Sequence, residues 1–191
     1  MNDEGLIWLD DVIRVVSPNA DERPPGSEIE LLVIHNISLP PNEFGGGNIH
    51  RLFTNRLDPA AHPYFASIAD LRVSAHLLIE RDGRTTQFVA LERRAWHAGQ
   101  SQFCGRERCN DFSIGIELEG TDELPFSDAQ YERLVALTRT IRRIFPRIGD
   151  DNIVGHSDIA PGRKTDPGPF FAWDRFRTQL AAAETRPPAL G

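Results

Sequence analysis

Hydrophobic and polar positions along the chain predict a succession of strands. Residues 29–34 form a short apolar run bounded by a proline-rich loop, which is typical of a buried strand. Residues 73–80 and 85–90 are rich in side chains that favour strands, and they flank Asp82-Gly83, a pattern that predicts a hairpin. Residues 112–118 alternate between apolar side chains and small or polar ones, as expected for a further strand.

The spacing of apolar residues elsewhere predicts helices. Ser127 and Gln130 form a capping-box pattern that begins one helix, and Pro146 and Gly149 end it. An amphipathic helix is expected over residues 171–183. Shorter elements are expected as helices over 50–54 and 61–71 and as a strand over 152–155. Strands mixed with helices predict an α/β fold with a central mixed β-sheet flanked by helices.

The length of 191 residues predicts a single domain over residues 1–191. Residues 1–27 are expected to be an irregular N-terminal segment, and residues 184–191 a loose tail. Two long segments, 38–62 and 157–170, are rich in proline and glycine. Long loops of this kind often carry functional residues.

Charge and composition limit the partners. The net charge of −7 argues against a nucleic-acid interface or an anionic membrane surface. No apolar run is long enough for a transmembrane helix, and the acidic start, with its first basic residue at Arg14, does not resemble a secretory signal. The two cysteines do not form a disulfide framework. We therefore expect a cytoplasmic protein, and a monomer by default.

Two histidines follow predicted strands and could meet in one cleft. His35 follows the run at 29–34, and His156 follows the strand at 152–155. Asp166 lies ten residues after His156, and two histidines with a carboxylate are a known zinc-ligand set. Each histidine could equally cap its strand with a backbone hydrogen bond, and an aspartate before Pro-Gly is often a turn former. The sequence pattern alone leaves these alternatives open.

Two other residues are candidates for chemistry. Glu117 lies within a predicted strand, where glutamate is disfavoured, and beside Gly115. It could be a general base in a cleft or a solvent-facing side chain, whereas Glu119 on the same face is expected to be solvated. Lys164 is the only lysine among 21 basic residues. A GC-rich genome can explain the excess of arginine, but the exception suggests a position that requires a compact ammonium group.

Several stretches together carry a family resemblance. They include Val33-Ile34-His35-Asn36, Ala61-His62-Pro63, Arg94-Ala95-Trp96-His97, residues 105–122, Gly155-His156 and Arg163-Lys164-Thr165-Asp166. Through them the chain, from about residue 6 to 180, resembles the AmpD-type N-acetylmuramoyl-L-alanine amidases of Gram-negative bacteria. That amidase family also includes peptidoglycan recognition proteins and phage lysozyme-like amidases.

The resemblance implies a role for each of nine residues. Zinc, one ion per chain, would be bound by His35, His156 and Asp166. Catalysis would involve Glu117 and Lys164. Substrate contacts would be Asn36, Arg72, Trp96 and Arg108, of which the two arginines would hold peptide carboxylates. The other four histidines would be structural or supporting.

The implied activity is zinc-dependent hydrolysis of the amide between 1,6-anhydro-N-acetylmuramic acid and L-alanine of small-molecule muropeptides. The implied setting is cytosolic peptidoglycan recycling, which would also restrain β-lactamase induction. The implied fold is that of the amidases and peptidoglycan recognition proteins. Two other functions are considered: a non-catalytic peptidoglycan-binding module, and a metal-dependent peptidase that acts on the stem peptide.

Overall fold

The structure is a computed structural model that describes residues 5–184; the expected tail, apart from residue 184, lies outside this range. The strands are β1 (Ile13–Arg14), β2 (Ala20–Asp21), β3 (Leu31–Ile37), β4 (Leu77–Ile79), β5 (Thr85–Gln87), β6 (Arg94–Ala95), β7 (Gln102–Phe103), β8 (Arg106–Glu107), β9 (Ser113–Glu119) and β10 (Ile153–Gly155). The helices are α1 (Asn48–Phe53), α2 (Pro63–Ser67), α3 (Asp128–Ile144), α4 (His156–Ile159) and α5 (Trp173–Glu184).

A six-stranded mixed sheet, in the order β1-β5-β4-β9-β3-β10, forms the centre of the fold. Strands β4, β9, β3 and β10 pair in parallel, while β5 runs antiparallel to β4. The expected α/β fold with a central mixed sheet is therefore confirmed. Because parallel strands end at the same edge, the carboxyl ends of β3, β9 and β10 meet there.

The two faces of the sheet have different roles. On one face, Ile34 of β3 and Ile116 of β9 pack against Leu134 of α3 and Phe176 of α5. Apolar burial on this face is the main stabilising contribution to the fold. The opposite face carries smaller apolar clusters and buried polar side chains such as His35 and Ser113.

The hairpin and the long helix agree with the sequence pattern. Strands β4 and β5 pair antiparallel on either side of Asp82-Gly83, although each spans only three residues. The capping box at α3 is present: Gln130 N donates to Ser127 Oγ at 3.1 Å, and Ser127 N donates to Gln130 Oε1 at 3.0 Å. None of the helices in residues 5–184 is long and apolar enough to cross a membrane.

Other elements differ from their expected bounds. Strand β3 extends to Ile37 because Asn36 and Ile37 continue the ladder opposite β9. The helix expected over 61–71 is only Pro63–Ser67, and the loop expected over 157–170 begins within α4. The N-terminal segment expected to be irregular contains β1 and β2.

The expectation that Glu119 is solvated is wrong. Its side chain is buried and accepts hydrogen bonds from Gly45 N at 2.6 Å and Arg81 N at 3.2 Å. A carboxylate that receives two backbone N–H groups can be buried because its charge is compensated locally. Glu119 therefore anchors two loops.

Candidate active site

The sheet register places two of the candidate residues side by side. His35 of β3 is the direct partner of Glu117 of β9. Both face away from the main apolar core, since Ile34 and Ile116 beside them point into it. Strand β10 pairs with the other side of β3, and His156 follows it at the first position of α4. Both histidines therefore lie near the same edge of the sheet, as their positions after apolar runs predicted.

His35, His156 and Asp166 form a compact donor cluster. The Nδ1 atoms of the two histidines are 3.0 Å apart, and Asp166 Oδ2 lies 3.0 Å from His35 Nδ1 and 3.1 Å from His156 Nδ1. Both histidines are buried, and Asp166 is mostly so. Among the described residues, His35, His156 and Asp166 together offer two nitrogen atoms and one oxygen atom close enough to bind one metal ion.

The outer nitrogen of each histidine in this cluster is also bonded. His156 Nε2 lies 3.0 Å from the carbonyl oxygen of Ala98 and donates to it. His35 Nε2 lies 2.9 Å from Nδ1 of His97. With protons on both Nε2 atoms, the Nδ1 lone pairs of His35 and His156 point at a common centre, which is the arrangement a metal ligand requires.

Burial and mutual contacts set the protonation of the cluster. Burial lowers the pKa of His35 to about 4, even though the hydrogen bond to Asp166 opposes that shift. Burial alone would raise the pKa of Asp166, but hydrogen bonds and charge from His156 and His35 hold it below its ordinary value. His35 is therefore a neutral imidazole and Asp166 an ionised carboxylate, the protonation states in which these groups bind metals.

Glu117 lies beside this cluster and does not face bulk solvent. Its Oε2 is buried without a hydrogen-bond partner in the described part of the chain. Burial, followed by the charge of Asp166, raises the pKa of Glu117 well above its usual value, while Lys164 opposes that shift. An unpartnered carboxyl oxygen with a raised pKa has the properties of a general acid or base.

A cavity of about 830 Å³ opens over these groups. Among the residues that line it are Glu117, Lys164, Asn36, Arg72 and Trp96. Both expected catalytic residues and three of the four expected substrate contacts therefore line the same cavity.

Arg108 lies apart from this group. It is exposed, sits beside Asp111 and lines an adjoining groove of about 370 Å³. Arg163 lines both the cavity and this groove, so the two lie next to each other.

Sequence reasoning missed Arg163. Its guanidinium donates to the carbonyl oxygens of Ala98 and Gln100 at 2.7 and 2.5 Å, so it closes the wall of the site. Its position next to Lys164 was the only available signal. His97, expected to be structural or supporting, contacts His35 directly.

Comparison with known proteins identifies the family. A family model described as N-acetylmuramoyl-L-alanine amidase matches residues 25–169. The chain belongs to this family of amidases. A relative from Salmonella typhimurium strain SL1344, named 1,6-anhydro-N-acetylmuramyl-L-alanine amidase AmpD, is 61% identical over 174 residues, which cover 91% of this chain and 92% of that protein.

Solved structures agree with this membership. A crystal structure of a selenomethionine derivative of AmpD has 60% identity and a TM-score of 0.88, covering 91% of this chain and 96% of that one. The amidase AmiD from Escherichia coli, solved in complex with anhydro-N-acetylmuramic acid-L-Ala-D-γ-Glu-L-Lys, has 30% identity and a TM-score of 0.58, covering 84% of this chain and 65% of that one. The amidase fold expected from the sequence is confirmed.

Proposed function

We propose that this chain is a zinc-dependent amidase that hydrolyses the bond between 1,6-anhydro-N-acetylmuramic acid and L-alanine in muropeptides. The observation that carries the proposal is the convergence of His35, His156 and Asp166 next to Glu117, with His156, Asp166 and Glu117 in the wall of one open cavity. The AmpD relatives are named for this reaction, and AmiD was solved with a substrate of this class. The proposed setting is cytosolic peptidoglycan recycling, with indirect restraint of β-lactamase induction.

The donor set supports zinc as the metal. Two imidazole nitrogens and one carboxylate oxygen are three protein ligands of the kind found in catalytic zinc sites, which leave one position open. A zinc ion held by such ligands polarises a carbonyl group and lowers the pKa of water to about 7.

Glu117 is the proposed general base. Its unpartnered Oε2 is on the same sheet face as His35 and is placed to accept a proton from the attacking water. The same carboxyl group can then return that proton to the departing amine of L-alanine. Proton transfer of this kind contributes roughly 10²–10⁴-fold to the rate.

Lys164 is the proposed stabiliser of negative charge. Its position in the wall of the cavity, together with its effect on the pKa of Glu117, indicates an ammonium group close to the reacting centre. A positive charge that is fixed before the reaction stabilises the oxyanion that develops on the scissile carbonyl.

The proposed substrate contacts are Asn36, Arg72, Trp96 and Arg108. Arg72 lines the cavity, Arg108 lines the adjoining groove, and Arg163 lines both. Guanidinium groups bind carboxylates through paired hydrogen bonds. A chain with a net charge of −7 needs such a local basic surface to bind an anionic stem peptide.

The decisive experiment is mass spectrometry of anhydromuropeptide incubated with the purified protein, with and without a zinc chelator. We expect anhydro-N-acetylmuramic acid and an intact peptide that begins with alanine, with the reaction lost on chelation and restored by zinc. Bound but intact substrate would instead support a non-catalytic muropeptide-binding module. Cleavage inside the stem peptide would support the metal-dependent peptidase.

A further inference from the structure

A chain of buried hydrogen bonds continues behind His35. Nε2 of His35 lies 2.9 Å from Nδ1 of His97, and Nε2 of His97 lies 3.1 Å from Oγ of Ser113. All three side chains are buried. His97 therefore contacts the nitrogen of His35 that faces away from Asp166, and it lies outside the donor cluster.

The chemistry of imidazole sets the direction of proton donation along these hydrogen bonds. If Nδ1 of His35 is to offer a lone pair, its Nε2 must carry the proton and donate it to an acceptor. Nδ1 of His97 is that acceptor, so the proton of neutral His97 must sit on Nε2, where Ser113 Oγ can accept it. The metal-binding tautomer of His35 thus sets the tautomer of His97, and the hydroxyl of Ser113, which can donate or accept, is able to accept from it.

The backbone around His97 is also fixed. Asn110 Oδ1 accepts hydrogen bonds from the backbone N–H groups of His97 at 3.1 Å and Ala98 at 2.8 Å. The carbonyl of Ala98 in turn accepts from His156 Nε2. One short segment therefore contacts the outer nitrogen of both histidines, through the side chain of His97 and the backbone of Ala98.

Gly115 provides the space that the His97 ring occupies. A Cβ atom at this position would lie 2.5 Å from Cγ and Nδ1 of His97. Gly115 precedes Glu117 by two residues on the same face of β9, so the ring packs on the strand that also carries the proposed base. A side chain at position 115 would displace the ring from His35.

We propose that His97 is a positioning residue that orients His35 and accepts the Nε2 proton of its metal-binding tautomer, with Ser113 Oγ accepting from Nε2 of His97 in turn. This inference rests on the metal site in the proposed function. Groups that hold the outer nitrogen of a metal-binding histidine typically contribute about 10–100-fold to metal affinity or activity. His97 also lines the cavity, and the role proposed for it here is exerted through His35.

The test measures metal affinity independently of catalysis. Zn²⁺ affinity of the metal-free protein is determined by competition with a chromophoric chelator for wild type, His97→Phe and His97→Asn. Phenylalanine keeps a ring but removes the acceptor, so we expect an affinity roughly 10–100-fold lower. The side-chain oxygen of asparagine can replace Nδ1 as the acceptor, so His97→Asn should recover most of the loss. The visible absorption of the Co²⁺-loaded proteins should change in the same order.

His50→Phe is the matched control, because His50 is another histidine whose ring nitrogen has a side-chain hydrogen-bond partner, Thr86 Oγ1, but it lies away from the cluster. Its Zn²⁺ affinity should equal that of wild type.

If circular dichroism shows that His97→Phe does not fold, Ser113→Ala tests the same series of hydrogen bonds. It should weaken Zn²⁺ binding by a few-fold, in the direction expected for a supporting contact. Wild-type affinity in His97→Phe, or no recovery in His97→Asn, would overturn the positioning role. A wild-type protein that binds no Zn²⁺ would instead overturn the metal site of the proposed function.

Discussion

At the scale of single residues, the site combines groups that are expensive to bury with contacts that compensate for them. The carboxylate of Asp166 is compensated by two imidazoles, whereas Oε2 of Glu117 is buried with no hydrogen-bond partner among the described residues. A polar group left unsatisfied in this way costs stability. Such a cost is typical of a residue retained for its chemistry.

Glu117→Gln should separate catalysis from metal binding. The amide has the shape of the carboxylate but cannot accept the proton of water, so we expect the hydrolysis rate to fall by roughly 10²–10⁴-fold. Bound zinc, measured by elemental analysis, should stay at the wild-type level because Glu117 is not in the donor cluster. Loss of zinc in this variant would make Glu117 a ligand and contradict the assigned role.

Lys164→Arg tests whether the single lysine is required as an ammonium group. The planar guanidinium keeps the charge but not the compact geometry of an amine. We expect kcat to fall, up to the roughly 10²–10³-fold loss seen when a transition-state donor is removed. The steady-state kinetics of Lys164→Ala give the lower limit for comparison. Full activity in Lys164→Arg would show that charge alone is sufficient.

At the scale of elements, local patterns predicted the elements better than their ends. Capping residues and the Asp82-Gly83 turn act over a few residues, so the sequence specifies them directly. The length of β3 depends on pairing with β9, some 80 residues further along the chain, and is invisible locally.

The same difference between local patterns and long-range contacts explains which parts of the candidate site could be predicted from the sequence. The apolar runs before His35 and His156 were visible in the sequence, so both histidines could be placed towards the carboxyl ends of strands, although β3 continues to Ile37. The contact between His35 and His97, which are 62 residues apart, and the reach of Arg163 to Ala98 arise only from tertiary packing. For the roles of the individual residues, family resemblance was a more specific guide than spacing.

The loop that carries Asp166 offers a matched pair of glycine substitutions. Gly162 and Gly168 both have positive φ angles, of 76° and 79°, so alanine should cost about 1–2 kcal/mol at either position from backbone strain alone. At Gly168 the new Cβ would also lie 2.6 Å from Cα of Asp122, whereas at Gly162 it would meet nothing within 4 Å. The steric conflict at Gly168 should add roughly 1–3 kcal/mol.

The readouts for this pair are urea unfolding and Zn²⁺ affinity. We expect Gly168→Ala to be the less stable variant and to bind Zn²⁺ more weakly, because it displaces the segment two residues after Asp166. Gly162→Ala should show the strain cost with nearly normal Zn²⁺ affinity. Equal effects from the two substitutions would mean that the packing of Gly168 on Asp122 does not position the ligand loop.

At the scale of the whole molecule, buried polar groups connect the N-terminal segment to the sheet behind the site. Arg23 donates to the backbone carbonyls of Asn110 at 2.9 Å and Ser113 at 2.8 Å, and it lies 3.2 Å from Nε2 of His76. Burial lowers the pKa of Arg23 to about 10, which leaves it charged. A fixed positive charge therefore stands next to buried histidines.

His76 makes the stability of the metal-free protein depend on pH. Its Nδ1 accepts from Gly115 N at 3.0 Å and its Nε2 donates to the carbonyl of Arg93, an arrangement that requires the neutral ring. Burial, followed by the charge of Arg23, lowers the pKa of His76 to about 3. In the unfolded chain the pKa of His76 is near 6.5. As the pH falls from 6.5 towards 3, His76 therefore binds a proton in the unfolded state but stays neutral in the folded protein.

Because protons favour the unfolded state in this window, stability must decrease on acidification. At pH 5, His76 alone should reduce the free energy of unfolding by about 2 kcal/mol relative to pH 7. Urea unfolding of the metal-free protein at both pH values measures the loss, and His76→Gln should make it smaller by about that amount. Ile79→Val, which removes one buried methyl group and no titratable group, should be less stable at both pH values but keep the wild-type pH dependence. If His76→Gln lost as much stability as wild type between pH 7 and pH 5, the acid sensitivity would have to come from other groups, such as His35 and His97, whose pKa values burial also lowers.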